Sequence, residues 1–275
     1  MKKAASKDAA FCLTRTYQQM QHSFLTSSRA RLASLHLAAS VVVATVAAVV
    51  VFAVWYPPPY ATIAGGLGLF MILISVDVVL GPVLTAVVAD PAKPRRSLRR
   101  DIAVIAAVQL AGLAYGVHAI AMSRPVHLAF EVDRLRVVTA ADVDMATLGE
   151  APPGLRELPW TGPTLIAAAK PTKPDDVLRS IELAMNGFDI SMFPRHWREY
   201  DSQREAAWNA ARPLADLVAR YPAAAPEVEK LAARVGQPVS SLRFLPLISR
   251  HASWATVVSA PDARIVGHLP WDGFL

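Results

Sequence analysis

Three long apolar runs between Leu32 and Met122 constrain this chain more than any other feature of its 275 residues. A bilayer core of roughly 30 Å needs about 20 apolar residues at a rise of about 1.5 Å each. The runs at 32–55, 61–88 and 102–122 all meet that length. In the first, the block Val41-Val42-Val43-Ala44-Thr45-Val46 carries enough β-branched residues to read as a strand in water. The run is far longer than a strand, however, and in lipid the backbone must satisfy its own polar groups, which demands a helix.

The connections set the orientation. Tyr56-Pro57-Pro58-Pro59-Tyr60 cannot continue a helix, because proline has no amide donor and restricts its predecessor; the aromatic residues around it suit a lipid–water interface. The segment 90–101 carries five Lys/Arg in twelve residues and is expected on the cytoplasmic side, with Arg29 and Arg31 holding the N-terminus there too. Three crossings then put Arg124 and everything after it outside the cytoplasm, in the periplasm of a Gram-negative cell. The sequence therefore predicts a membrane protein with three N-terminal transmembrane α-helices and a C-terminal α+β extracytoplasmic domain. Its divisions are a cytoplasmic tail (1–31), the three-helix region (32–122) and a periplasmic domain (123–275). A cleaved signal peptide fits the first run poorly: the run is too long, and its exit is Trp55-Tyr56-Pro57-Pro58-Pro59, without a small-x-small pattern. Met20 is an alternative start, since everything the topology needs lies after it.

Composition agrees once it is divided by region. At 53% hydrophobic, 18% charged and a mean hydropathy of +0.33, the chain is too apolar for an ordinary soluble domain. Its net charge of +6 raises the question of nucleic acid. Yet residues 1–31 and 90–101 hold eleven Lys/Arg against three acids, while 123–275 hold seventeen against eighteen. The basic excess flanks the apolar runs, so no nucleic-acid partner is expected. Cys12 is the sole cysteine, which excludes an intramolecular disulfide and a cysteine-based metal site.

In the C-terminal region, 126–130 and 135–138 read as strands around a polar turn, and 140–143 begins a short helix. A Pro/Gly-rich stretch at 150–163 follows and reads as an ordered loop, not a domain linker, with Leu158, Trp160 and Leu165 as apolar anchors. Asp175-Asp176 reads as the N-cap of a helix over 177–186 that Gly187 stops, Ser202–Tyr221 as one helix, and a third helix begins near Pro226 and ends at Gly236. Strands are expected at 242–247, 254–258 and 265–269. Strands at both ends with helices between predict an α+β domain whose terminal strands pair.

No catalytic pattern stands out. The histidines are not at metal-ligand spacings, and neither a nucleophile elbow nor a phosphate loop occurs, so no enzyme, metal or cofactor is expected. The most pointed residue is Asp77, mid-run in Ser75-Val76-Asp77-Val78-Val79-Leu80-Gly81-Pro82. A charge there costs about 2.5–3.5 kcal/mol on insertion scales, so it needs a partner or a proton. Gln109 falls at comparable depth on the third run, within reach of a helix-to-helix hydrogen bond. Pro82 deprives the Val78 carbonyl of its usual donor, which predicts a kinked turn open to a partner. Bundle packing and a functional contact both stand as roles for Asp77. Of the tryptophans after Arg124, Trp160, Trp197, Trp208 and Trp254 read as core residues, and Trp271, close to the chain end, as a surface contact.

These residues also carry a resemblance. Trp55-Tyr56-Pro57, the stretch Ile74 to Thr85 around Asp77, Asp101 to Leu110, Ala114-Tyr115-Gly116-Val117-His118, and Arg124-Pro125-Val126 with Phe130-Glu131-Val132-Asp133-Arg134 together resemble the TfpX/TfpZ family of type IV pilin accessory proteins. The likeness is specific over about 30–138 and weaker at Leu245-Pro246-Leu247 and Pro270-Trp271. It implies a bacterial inner-membrane protein that assists the stability or assembly of a cognate pilin, major or minor, alongside other inner-membrane assembly components, without a catalytic residue. A pilin before assembly offers an apolar helix in the membrane and a head outside, and a chain with both compartments suits it. The competing reading is a membrane-anchored sensor, for which the cytoplasmic segments leave little room; an anchored hydrolase lacks any motif.

Overall fold

Residues 29–88, 93–171 and 174–274 are described by the computed structural model. The tail with Cys12 and Met20, Asp90 in the basic connection, and the side chains of Asp175 and Asp176 lie outside the described residues.

Helix α1 (Arg29–Trp55) ends where the three consecutive prolines 57–59 withdraw their amide donors. A single turn, α2 (Tyr60–Ile63), leads to α3 (Gly66–Val88), and the basic connection to α4 (Arg95–Met122). α1, α3 and α4 are each long and apolar enough to cross a membrane. α4 begins seven residues before the apolar run does, because Pro94 suits a helix start and the basic residues behind it are good helix formers. Large apolar side chains on these helices point outward: Val42, Ile72 and Val108 are each more than 60% exposed.

The chain divides into two compact units, one helical (Met1–Ala48 and Phe70–His118) and one built on a sheet (Val49–Leu69 and Ala119–Leu275). In the helical unit, α3 meets α1 through His36 Nδ1 and Thr85 Oγ1, 2.6 Å apart, and approaches α4 so closely at Gly116 that a Cβ there would lie 2.4 Å from Leu73.

The sheet unit is mixed and eight-stranded. Its strands and helices, in chain order, are β1 (Pro125–Glu131), β2 (Arg134–Thr139), β3 (Thr164–Ala168), α5 (Pro174–Met185), β4 (Trp197–Glu199), α6 (Arg204–Ala210), β5 (Arg212–Pro213), α7 (Leu214–Arg220), α8 (Ala225–Val235), β6 (Leu242–Ile248), β7 (Ser253–Ser259) and β8 (Arg264–Leu269). The strand order is β4-β3-β1-β2-β6-β7-β8, with β5 also on β6. The β1–β2, β6–β7 and β7–β8 pairs are antiparallel neighbours in sequence, whereas β3 on β1 and β6 on β2 are parallel crossovers. The expected pairing of strands from the two ends of the domain is the β2–β6 ladder.

Two apolar clusters hold this unit. One gathers Leu242 and Phe244, alternate residues of β6, and Ala255 and Val257 of β7 under Val228, Leu231 and Ala232 of α8 and Leu214 and Leu217 of α7. Period-two positions on strands meet period-3.6 positions on helices, as burial of one face requires. The other packs Val126 and Ala129 of β1, Val138 of β2 and Ile166 of β3 around Trp197, covered by Leu148 and by Leu155 and Leu158 of the Pro/Gly-rich stretch.

One expected element is corrected. Ser202–Tyr221 is not one helix: Pro213 lacks a donor and drives Arg212 extended, so the segment divides into α6, the two residues of β5, which pair with β6, and α7. The aromatic turn at 55–60, expected to suit a lipid–water interface, packs its side chains against its own chain. Tyr56 is fully buried within the sheet unit and donates its hydroxyl to the Ile120 carbonyl at 3.0 Å; Ile63 is fully buried too, and its carbonyl accepts from Ser249 Oγ. Gly65 is held at φ +74°, with the His251 ring where a Cβ would be, a position open to glycine alone.

Candidate functional site

The polar residues of the helical unit converge on one level. Asp77 sits at the midpoint of α3, in a segment, Ser75–Leu80, that winds as a π-helix just before Gly81 and Pro82. A widened turn of this kind is what a helical ladder interrupted by proline adopts, and it is frequent at functional positions. A side chain of α4 reaches right against Gly81, where a Cβ would lie 2.1 Å from Gln109 Nε2. Gln109 Nε2 donates to the backbone carbonyl of Asp77 at 3.4 Å.

The sequence thus anticipated the meeting of Asp77 and Gln109, but not its atoms. Both carboxylate oxygens of Asp77 are shielded from solvent and make no hydrogen bond. Asp77 and Gln109 line a cavity of about 210 Å³ whose other walls come from α1, with His36 and Ser40, and from apolar residues such as Val43, Phe70, Leu73 and Leu113. His36 went unremarked in the sequence. Its signal was there, since His36 and Ser40 are one helical turn apart and polar within an apolar run.

Trp271 belongs to the sheet unit. It is half-buried against the α7–α8 cluster, its ring 5.4 Å from that of Tyr221, and its Nε1 donates to Glu227 Oε2 at 3.1 Å. Its own chain therefore takes up much of the surface expected to serve a partner. Of the other tryptophans, Trp197 is fully buried and donates Nε1 to the Ser191 carbonyl at 2.7 Å. Trp208 is half-buried under the Arg243 guanidinium, and Trp254 is half-buried as well. Trp160, expected in the core, is 65% exposed and carries the Arg124 guanidinium 4.6 Å above its ring.

Buried ionisable groups in the sheet unit are tied to neighbours. Glu131 Oε1 accepts from the Ser191 amide at 3.0 Å, and Oε2 lies 3.4 Å from Arg134 Nε; burial raises its pKa. Asp189 pairs with Arg134 and Arg136. Asp142 accepts from the amide and hydroxyl of Thr139 and from Arg250. His127 shares a 2.6 Å hydrogen bond with Thr164 Oγ1, stands edge-on to Trp197, and is pushed down to about 4 by burial. Among the described residues no three His, Cys, Asp or Glu are placed to hold a metal ion.

Three helices long and apolar enough to cross a membrane, joined to a mixed-sheet α+β domain and holding a polar cluster among them, define the class of protein. Within that class, the fimbrial assembly protein FimB family matches residues 24–65, which cover all of α1 and the aromatic turn. The serogroup I fimbrial assembly protein of Dichelobacter nodosus is 33% identical over 246 residues, covering 89% of this chain and 96% of the relative. The serogroup E1 protein is 32% identical over the same shares, and the protein of serogroups C1 and C2 is 34% identical over 122 residues, 44% of this chain and 93% of the relative. The chain belongs to this family of fimbrial assembly proteins. No solved structure matches it.

Proposed function

We propose that this chain is a type IV pilin accessory protein of the bacterial inner membrane, assisting the stability or assembly of a cognate pilin without catalysis. The observation that carries the reading is the 33% identity along nearly the whole length of a fimbrial assembly protein. The narrower TfpX/TfpZ resemblance, in the same stretch as Asp77 and Pro82, points to pilins as the partner class.

In this reading residues 1–31 are cytoplasmic, 32–122 form the transmembrane region and 123–275 lie in the periplasm. The arginines of the 90–101 connection and of the N-terminal flank support that orientation through the positive-inside rule. Outward apolar side chains on α1, α3 and α4 support a lipid environment, since in water such faces would be buried. The partner's apolar helix would pack beside α3 near Asp77, Pro82 and Gln109, and its head would meet the sheet unit, with Trp271 and the exposed Phe274 at the chain end as candidate contacts. Deleting the gene in its host and complementing it in trans tests the role. Loss of surface pili with the pilin gene intact, restored by the wild-type chain, is the expected result. Full piliation of the deletion strain would overturn it.

A further inference from the structure

Asp77 holds two carboxylate oxygens with no hydrogen-bond donor, at the midpoint of an apolar helix and on the wall of a cavity of about 210 Å³. The polar groups around it are turned to other work. His36 Nδ1 engages Thr85 Oγ1, and its ring is within electrostatic reach of the carboxylate without donating to it; Gln109 Nε2 engages the Asp77 carbonyl and not the carboxylate. The rest of the wall is mainly aliphatic and aromatic, apart from Ser40.

We propose that this cavity receives a single cationic side chain or amine carried at mid-bilayer depth by the transmembrane helix of a partner protein. The inference rests on the reading of α1, α3 and α4 as membrane spans and names the chemistry of the partner they receive. A carboxylate in hydrocarbon is costly unless it is paired, and the same is true of a lone ammonium or guanidinium on a partner helix, so each removes the other's penalty. Acyl chains have no donor to bring to that depth; a polypeptide helix does. The oxygens are shielded, so the arriving donor displaces a neighbouring side chain and not bulk water. Leucine-like side chains of the partner would fill the apolar remainder of the cavity.

The test uses the full-length protein in vesicles of phosphatidylethanolamine and phosphatidylglycerol, with two fluorescent synthetic helices. One is an oligoleucine span with a single central lysine; the other is the same span with leucine throughout. Energy transfer from a donor dye on the protein reads association. The lysine helix is expected to associate roughly tenfold more tightly than the leucine helix, the scale of a polar contact between membrane helices. Asp77→Leu should abolish that preference, and the equal-sized Asp77→Asn, which keeps the fold's volume, should reduce it to about threefold or less. Equal association of both helices with the wild type would overturn the site, as it would if His36 already satisfied Asp77 internally. A preference that survives in both variants would overturn it as well. Because neither helix is a pilin, a failure here leaves the pilus role standing, and a failed deletion experiment leaves this site standing.

Discussion

The two units of the molecule treat buried charge in opposite ways. In the sheet unit buried carboxylates find partners within the chain: Asp142 accepts from Thr139 and Arg250, and Glu131 accepts from the Ser191 amide at Oε1, while its Oε2 makes no hydrogen bond but pairs with Arg134 at 3.4 Å. In the helical unit Asp77 is left with no donor at all. Apolar residues divide the same way. Trp197, Phe244 and Leu217 are completely buried in the sheet unit, whereas Val42, Ile72 and Val108 face outward on the helices. The sheet unit builds its core from its own side chains, although Ile181 and Met185 of α5 stay exposed. The helical unit leaves large apolar side chains facing outward, which fits the proposed membrane setting.

The largest expected effect that separates the two is core truncation. Trp197→Ala removes a fully buried indole and its hydrogen bond, and should cost about 3–5 kcal/mol. Val108→Ala, at a side chain 67% exposed, should change stability by less than about 0.5 kcal/mol. Thermal unfolding of the full chain in detergent measures both. A large cost at Val108 would mean that α4 packs against protein and not lipid.

Acid should act next, and on the sheet unit. The neutral rings of His127 and His268 are both held at about 4 by burial, below the usual histidine value of 6.5. As pH falls from about 6.5 to 4 the unfolded chain takes up these protons and the folded chain does not, so stability is lost across that window. For His127 the loss is on the order of 3 kcal/mol, from about 1.4 kcal/mol per unit. Glu131, raised by burial, works in the opposite sense, so the measured fall is the net of the two. His127→Gln should flatten the dependence in a pH series of unfolding curves.

Smaller, and most pointed for the comparison, is a pair of carboxylates. Asp142→Ala leaves the Thr139 amide and Arg250 without their acceptor and should cost about 2 kcal/mol. Asp77→Leu removes no hydrogen bond and should leave the melting temperature unchanged or raised, as when an unpaired buried charge is replaced by an apolar group. Tyr56→Phe frees the Ile120 carbonyl and should cost about 1 kcal/mol, less than the Asp142 change.

Much of this fold is written locally. The membrane-length helices follow from run length, β1–β2 from alternation about a polar turn, and the stop at Gly236 from its left-handed φ of +70°. What escaped depends on contacts distant in sequence. β3, β4 and β5 are at most five residues long, too short for a pattern, and become strands only because β1, β3 and β6 offer free edges. Tyr56 looked like an interface aromatic because its burial depends on Ile120, far along the chain. The depth match of Asp77 and Gln109 was readable from residue counts. The bond from Gln109 to a carbonyl, leaving the carboxylate bare, was not, since that rests on side-chain geometry between helices.

The most direct measurement is affinity capture of the full-length protein from its native membranes in mild detergent, after brief crosslinking, with mass spectrometry of what comes with it. If the chain is a pilin accessory protein, a pilin is the main specific partner, and its recovery falls when Asp77 is replaced by leucine. Clean recovery of the protein with no pilin and no pilus-assembly component would contradict the pilin role and favour a membrane-anchored sensor.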